Sequence, residues 1–331
     1  MTKLKTMKTM NNELLLSALY SADSILMCTH ISPDGDAIGS LLACGRQMKR
    51  LGKMVCMICA DPVPDKLRFL PGAEEVLLPD EVGNMQFDLA LALDCADEGR
   101  MGKCADAYNR ISKRAQIDHH DTNPLYAQIN EVDGHCSSTG CMITRLLNAM
   151  NMDADREIAA CIYTAISTDT GNFSFSNTDE ETFACAAAMV KTGFDLNEVS
   201  RRVHLLREEK HVRLLGCALH SLRLFADGNC ACMTLTKEAF EAIGAGNEHT
   251  DGIVNYALNI PGVKMAYLMD LHEEKRKISY RAIAPYRVSH IAAMLGGGGH
   301  VLAAGCRTEM SQKEAAELIE REMCKQIEEL K

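Results

Sequence analysis

Thr29-His30-Ile31-Ser32-Pro33-Asp34-Gly35-Asp36-Ala37-Ile38-Gly39-Ser40 puts one imidazole and two carboxylates between the apolar run Ile25-Leu26-Met27-Cys28 and an amphipathic run that starts near Ala37. Pro33 and Gly35 interrupt regular structure, so the polar side chains fall on a tight turn between a strand and a helix. Such turns lie at the carboxyl edge of open α/β sheets, where those folds bind ligands. With H-x-x-x-D-x-D spacing, His30 and Asp34 face one point and Asp36 a neighbouring one, as at the start of a two-metal site. Read alone, Asp34 is equally an ordinary turn acid that caps the next helix. The rest of the chain decides between the two.

Moving outward, apolar strands alternate with helical patterns: strands over 24–28, 54–59, 87–93 and 115–117, helices over 36–51, 138–150 and 155–167. Alternation of this kind predicts an α/β fold with a doubly wound, mostly parallel sheet whose strand ends converge on one edge. The strand 87–93 ends in Asp94, and Gln116-Ile117 runs into Asp118-His119-His120. After the helix ending near Ser167 comes Thr168-Asp169-Thr170-Gly171, again an acid in a glycine-bounded turn. A lone Asp is more often a surface cap, but four such clusters in one topology point to a metal. Asp118, beside the imidazoles, reads as an acceptor that orients them. Thr122 and Asn123 before Pro124 read as turn formers.

The ligand chemistry, carboxylates with a minority of imidazoles and no converging thiolates, favours manganese, with magnesium or cobalt as substitutes. A structural zinc site would want a closed set of Cys and His. Two such ions can activate a water against phosphorus. Arg100 and the Ser137-Ser138-Thr139-Gly140 stretch at a helix amino terminus are then phosphate contacts, although Arg on a loop and Ser at a helix start are also common without a ligand.

The chain has 331 residues, too many for one ordinary core. The expected division is a catalytic domain over 1–195, a helical linker over 196–226 closed by Gly228, and a smaller α/β domain over 227–331. A formal net charge of -10 opposes a broad surface for duplex nucleic acid. Fifteen cysteines, an odd number spread along the chain, fit a reduced cytoplasm better than a disulfide scaffold. Cys56 and Cys59 share redox spacing but lie in a buried strand pattern and read as core. Residues 1–10 read as a frayed start before a first helix rather than a leader peptide. No run approaches the ~18 apolar residues that span a bilayer.

Past residue 227, strands are expected over 231–235, 263–270 and 277–283, and Ser311-x-x-Glu314 announces a last helix whose Leu318, Ile319, Met323 and Ile327 share one face. Gly296-Gly297-Gly298-Gly299-His300, followed by Ala303-Ala304-Gly305, reads as a permissive turn. Its amides at Gly298 and Gly299 approach an anion or a base, with His300 and Arg281 adding contacts.

Together, His30-x-x-x-Asp34-x-Asp36, Asp94, Asp118-His119-His120 and Asp169 resemble the four motifs of the DHH phosphoesterase superfamily, and the glycine-rich tail resembles its associated C-terminal domain. The likeness runs along essentially the whole chain and is strongest to the bifunctional oligoribonuclease and 3'-phosphoadenosine 5'-phosphate phosphatase branch. It implies that His30 and Asp34 hold one manganese, that Asp36, His119 and Asp169 hold the other, that Asp94 bridges them, and that His120 contacts the reacting phosphate. Ser32 stands where the motif often carries Asn. Implied substrates are short single-stranded RNA or dinucleotides, without duplex or membrane, and implied assembly is a homodimer. The second lobe is expected to grip the substrate and limit its length. Alternatives are a phosphodiesterase for cyclic di-AMP or its linear product and a nucleotide-binding sensor without turnover; pyrophosphate is a poorer fit, since no dense Arg and Lys cluster is evident.

Overall fold

The computed structural model describes residues 8–83 and 85–330, so most of the expected frayed start, residues 1–7, lies outside the described residues. The chain divides into two units, Met1–Leu206 and Arg207–Lys331.

In the first unit, α1 (Glu13–Ser21) begins at Asn12, whose side chain accepts from Leu15 N. Then come β1 (Ser24–Cys28), α2 (Gly35–Arg50), β2 (Met54–Ile58), β3 (Val76–Leu77), β4 (Leu89–Leu93), α3 (Cys104–Asn109), β5 (Arg114–Asp118) and β6 (Ile129–Val132). Four helices follow: α4 (Thr139–Ala149), α5 (Arg156–Asp169), α6 (Glu180–Val190) and α7 (Leu196–Ser200). The strands form one sheet in the order β3-β2-β1-β4-β5-β6, parallel at every junction.

Every residue of β1 and β4 is buried, which is why both read as unbroken apolar runs rather than alternating ones. Ile25 and Met27 face a core built with α1, α2, α4, α5 and α6. Leu26 and Cys28 face a second core built with α3. The sheet is therefore doubly wound, as expected: the chain steps outward from β1 through β2 to β3, then crosses back to β4 on the other side of β1. That reversal opens a crevice at the carboxyl ends of β1 and β4. Helices α2 and α5 pack side by side at close range, the start of α2 against the end of α5. Gly39 makes this possible, since a Cβ there would collide with the carbonyl of Cys161.

All fifteen cysteines are free, and all but Cys217 and Cys324 are buried. Cys56 packs into the α3 side of the sheet, and the Cys59 thiol, one residue beyond β2, donates to His30 O. Both are core residues. Among the described residues, no helix is long and apolar enough to cross a membrane.

The second unit comprises α8 (Glu209–His220), β7 (Arg223–Phe225), β8 (Cys230–Leu235), α9 (Lys237–Ile243), α10 (Ile253–Leu258), β9 (Met265–Asp270) and β10 (Arg276–Ala282). It continues with α11 (Ser289–Met294), β11 (Gly298–Gly299), β12 (Ala303–Thr308) and α12 (Gln312–Glu329). The sheet order is β11-β12-β10-β9-β8-β7, with β8 and β9 parallel and the other pairs antiparallel. One face carries α11 and α12, the other α8, α9 and α10. Ser311 and Glu314 form the expected capping box of α12. Ala315, Ile319, Met323 and Ile327 make its buried stripe, with Leu318 partly buried at its border.

The stretch read as one connecting helix is not one. Helix α7 runs into a π-helical turn at Arg201–Leu205, the backbone is extended at Leu206, and α8 starts afresh at Glu209. No Gly or Pro marks the break, and i,i+4 pairs of Glu and Arg on both sides give each side the same helical pattern. Gly228, with φ +82, belongs to the turn between β7 and β8 instead of closing a helix.

Candidate metal centre

Asp34 caps α2, its Oδ1 accepting from Asp36 N at 3.0 Å and Ala37 N at 3.1 Å. The same oxygen lies 3.9 Å from His30 Nε2. A carboxylate has lone pairs for both tasks. Ser32 takes φ +50, the left-handed region in which Asn is the easier residue, and its amide donates to Asp61 Oδ2 at 2.6 Å.

Asp36 is buried and held from the far side of the crevice. Its carboxylate accepts from Thr139 N at 2.7 Å, Gly140 N at 2.9 Å and Ser40 Oγ at 3.0 Å, so the amino end of α4 supplies donors and a favourable dipole. Asp94 follows β4 at φ +54, a conformation that non-glycine residues adopt mainly where the surroundings enforce it. Thr139 Oγ1 donates to its Oδ1 at 2.9 Å. The two Asp94 oxygens face different partners: Oδ2 lies 3.6 Å from His30 Nε2, and Oδ1 lies 3.6 Å from His119 Nε2.

His30 Nδ1 lies 2.7 Å from Ile31 O, and donation there leaves the Nε2 lone pair turned to the acids. His119 is set the same way, with Nδ1 3.2 Å from Cys136 O and Nε2 at 3.7 Å from Asp36 Oδ2 and 3.4 Å from Asp169 Oδ2. Three sets of donor atoms result, each within 4.8 Å of one another: His30, Asp34 and Asp94; Asp36, His119 and Asp169; and Asp94, His119 and His120. Asp169 reaches the centre as the last residue of α5, so the acid expected in a turn after that helix sits on the helix end itself.

Asp118 looks away from that centre. Its Oδ1 accepts from His120 Nδ1 at 2.8 Å and its Oδ2 from Asn123 Nδ2 at 2.6 Å. Asn123, read as a turn former, also ties to Gln116 through both ends of its amide. The only hint in the sequence was its place just before Pro124, which fixes backbone but names no partner.

The phosphate contacts expected from sequence fall into different situations. Arg100 is exposed, with Nη2 3.1 Å from His30 Nδ1, at the edge of the centre. Ser137, Ser138 and Thr139 are buried and engaged with the protein itself: Ser138 Oγ caps α4, Ser137 Oγ accepts from Thr182 Oγ1, and Thr139 holds Asp36 and Asp94. Arg281, Gly298, Gly299 and His300 belong to the second unit. There Gly298 and Gly299 pair with Gly305 and Ala304, Arg281 lies opposite Ala303, and Gly298, Gly299 and His300 are exposed.

Electrostatics supports a cation. Burial, then the charges of Asp94, Asp169 and Asp34, pushes the Asp36 carboxyl well up. Burial likewise pushes Asp169 up to about 6, against the charge of His119. Buried acids forced together in this way call for positive charge between them. The donor set of carboxylate and imidazole, with no thiol among it, fits divalent ions.

The family model described as the DHH family, N-terminal domain, matches residues 24–166. The chain is 36% identical over 282 residues to the bifunctional oligoribonuclease and PAP phosphatase NrnA of Thermus thermophilus, covering 85% of this chain and 83% of that one. It is 27% identical to the protein of the same description in Bacillus subtilis, covering 88% and 91%. Among solved structures, an exopolyphosphatase-related protein of Bacteroides fragilis superposes with a TM-score of 0.86 at 29% identity, covering 93% of this chain and 94% of that one. The crevice at β1 and β4, its acids and imidazoles, and these likenesses agree: the chain belongs to the DHH family, on the branch of the bifunctional oligoribonucleases and PAP phosphatases, and is a phosphoester hydrolase.

Proposed function

We propose that the chain is a manganese-dependent phosphohydrolase of short nucleotidic substrates, acting on oligoribonucleotides, 3'-phosphoadenosine 5'-phosphate or both. The observation that carries this reading is the split of Asp94 between two donor sets. His30 and Asp34 would hold one divalent ion, Asp36, His119 and Asp169 the other, and Asp94 both. Ions so held would lower the pKa of an attacking water and neutralise charge on the phosphoryl oxygens. Magnesium or cobalt could replace manganese with this donor set. The substrate class draws support from the names of the Thermus and Bacillus relatives, and the net charge of -10 opposes duplex substrates.

The chain's own residues complete the reaction. Thr139 and Gly140 fix Asp36 without a rotamer to search. His120, whose Nδ1 is taken by Asp118, keeps Nε2 for a substrate oxygen. Its hydrogen bond to Asp118 outweighs burial and raises its pKa to about 9, so near neutral pH it carries a proton that it can donate to a phosphoryl or leaving oxygen. Arg100 adds charge at the rim, and Arg281, Gly298, Gly299 and His300 are the substrate contacts of the second unit.

Asp118→Asn tests the acid. A raised pKa keeps His120 protonated until the pH climbs through it, so activity falls on the basic side. Removing the Asp118 charge should move that basic limb of the pH–rate profile down by about 1–3 units, with the acidic limb unmoved. An unshifted basic limb assigns the proton elsewhere. The function itself is tested by assaying diribonucleotides, 3'-phosphoadenosine 5'-phosphate, cyclic di-AMP and pyrophosphate with manganese. Turnover of either of the first two supports the reading, preference for cyclic di-AMP replaces the substrate, and a silent panel with manganese bound favours a sensor.

A further inference from the structure

Beyond Asp169 the chain is tied into a knot that holds one aromatic ring in the open. Ser174 N and Phe175 N donate to Thr170 O at 2.9 and 3.0 Å, Thr178 N donates to Phe175 O at 3.1 Å, and Asn172 N donates to Ser167 O at 2.6 Å. Asn177 closes the knot, its Nδ2 donating to Asp169 O and Ser137 O, each at 3.1 Å. Phe175 thus stands between Thr170 and Asn177, which both abut Asp169.

The turn is a strained one. Gly171, Asn172 and Phe173 have φ of +54, +53 and +63, and a bulky side chain in that region is rare. Phe173 is half-buried against the core, and packing holds it there, the ring centroid 5.9 Å from Tyr163 and 5.5 Å from the exposed Phe183. Phe173 turns in, and Phe175 turns out, 60% exposed. A Cβ added at Gly171 would meet Cε1, Cζ and Cδ1 of the Phe175 ring almost equally. Near-equal approach to three consecutive ring atoms means that Gly171 lies against a face of the ring, since an edge-on approach would leave the flanking atoms clearly farther than the central one. One face is backed by Gly171, and the residue as a whole stays largely exposed.

We propose that Phe175 is a stacking platform for a nucleobase adjoining the scissile phosphate, and so selects nucleotidic phosphoesters over base-free ones; this rests on the nucleotidic reading of the site. An aromatic ring offers stacking to any base, because every base has a π-face. The platform therefore favours a base without choosing which. The rigid turn keeps the ring in place before substrate arrives, so little order is lost on binding.

The test compares wild type and Phe175→Ala on an intact diribonucleotide and on two analogues that lack the base on one side or the other, with manganese present. Stacking predicts that Phe175→Ala raises KM for the intact substrate about tenfold with kcat little changed, and that the difference disappears with one of the two abasic analogues. Phe175→Trp should restore the wild-type KM, and thermal melting should be the same for all three proteins, since the ring is exposed. An unchanged KM for the intact substrate, or an equal rise on all three substrates, overturns the platform while leaving the nucleotidic reading in place. Wild type that turns over no nucleotidic substrate fails the underlying reading, and is recognised before any variant is made.

Discussion

Asp94→Asn is expected to slow phosphoester hydrolysis about 10³-fold or more, because two ions held as proposed would supply several kcal/mol of transition-state stabilisation and would lose the ligand they share. The amide keeps the volume of the carboxylate and can still accept from Thr139 Oγ1, so the fold should survive. What it loses is charge toward His30 on one side and His119 on the other. Wild type should melt at higher temperature as manganese is added, in proportion to the logarithm of the metal concentration. The variant should lose most of that increment, while its metal-free melting stays close to wild type. Turnover within tenfold of wild type would remove Asp94 from the centre of the chemistry.

The second large effect concerns what keeps α4 in place. Arg145, on α4, is buried with a side-chain exposure of 6% and makes a bidentate pair with Glu181 of α6, Nε to Oε1 and Nη2 to Oε2 at 2.8 Å each. Its Nη1 donates to Asp133 Oδ2 at 2.6 Å. Glu181→Ala strands that guanidinium beside a single acid and should cost about 3–5 kcal/mol, or roughly 10 °C in melting temperature. Burial alone would raise the Glu181 and Asp133 carboxyls, but hydrogen bonds from Arg145 outweigh it and hold both below their ordinary values. Groups depressed in the folded state stabilise it fully above their unfolded pKa and lose that contribution as pH falls through the folded one. The gap between wild type and variant should therefore be widest near neutral pH and narrow in acid. A gap that stays constant into strong acid contradicts an ionic origin.

Much of the first unit could be read from its residues because its two central strands are buried on both faces. The runs 25–28 and 89–93 are apolar throughout and lead into acids or imidazoles, so both their identity and their carboxyl edge are visible. The candidate ligands were legible for a related reason: each sits at or beside an element boundary, past the end of a strand for His30, Asp94 and His119 and at a helix end for Asp34, Asp36 and Asp169. What was not legible depends on contacts distant in sequence. Nothing local shows that the amides of Thr139 and Gly140 close on Asp36 some hundred residues away, which turns an expected phosphate cradle into a clamp for a carboxylate. Nothing local shows that Asn123 holds Asp118. The short strands Val76–Leu77 and Ile129–Val132 exist because neighbours pair with them, and their own residues carry little alternation. The break between α7 and α8 is hidden because Leu206-Arg207-Glu208 contains no residue that opposes a helix.

The proposed chemistry depends on two cations sharing Asp94. Anomalous diffraction from crystals grown with manganese tests it directly. Two peaks are expected about 3.5–4 Å apart, one between His30 and Asp34, the other between Asp36, His119 and Asp169, with an Asp94 oxygen on each. A single peak, or peaks that leave Asp94 without a metal, would contradict it.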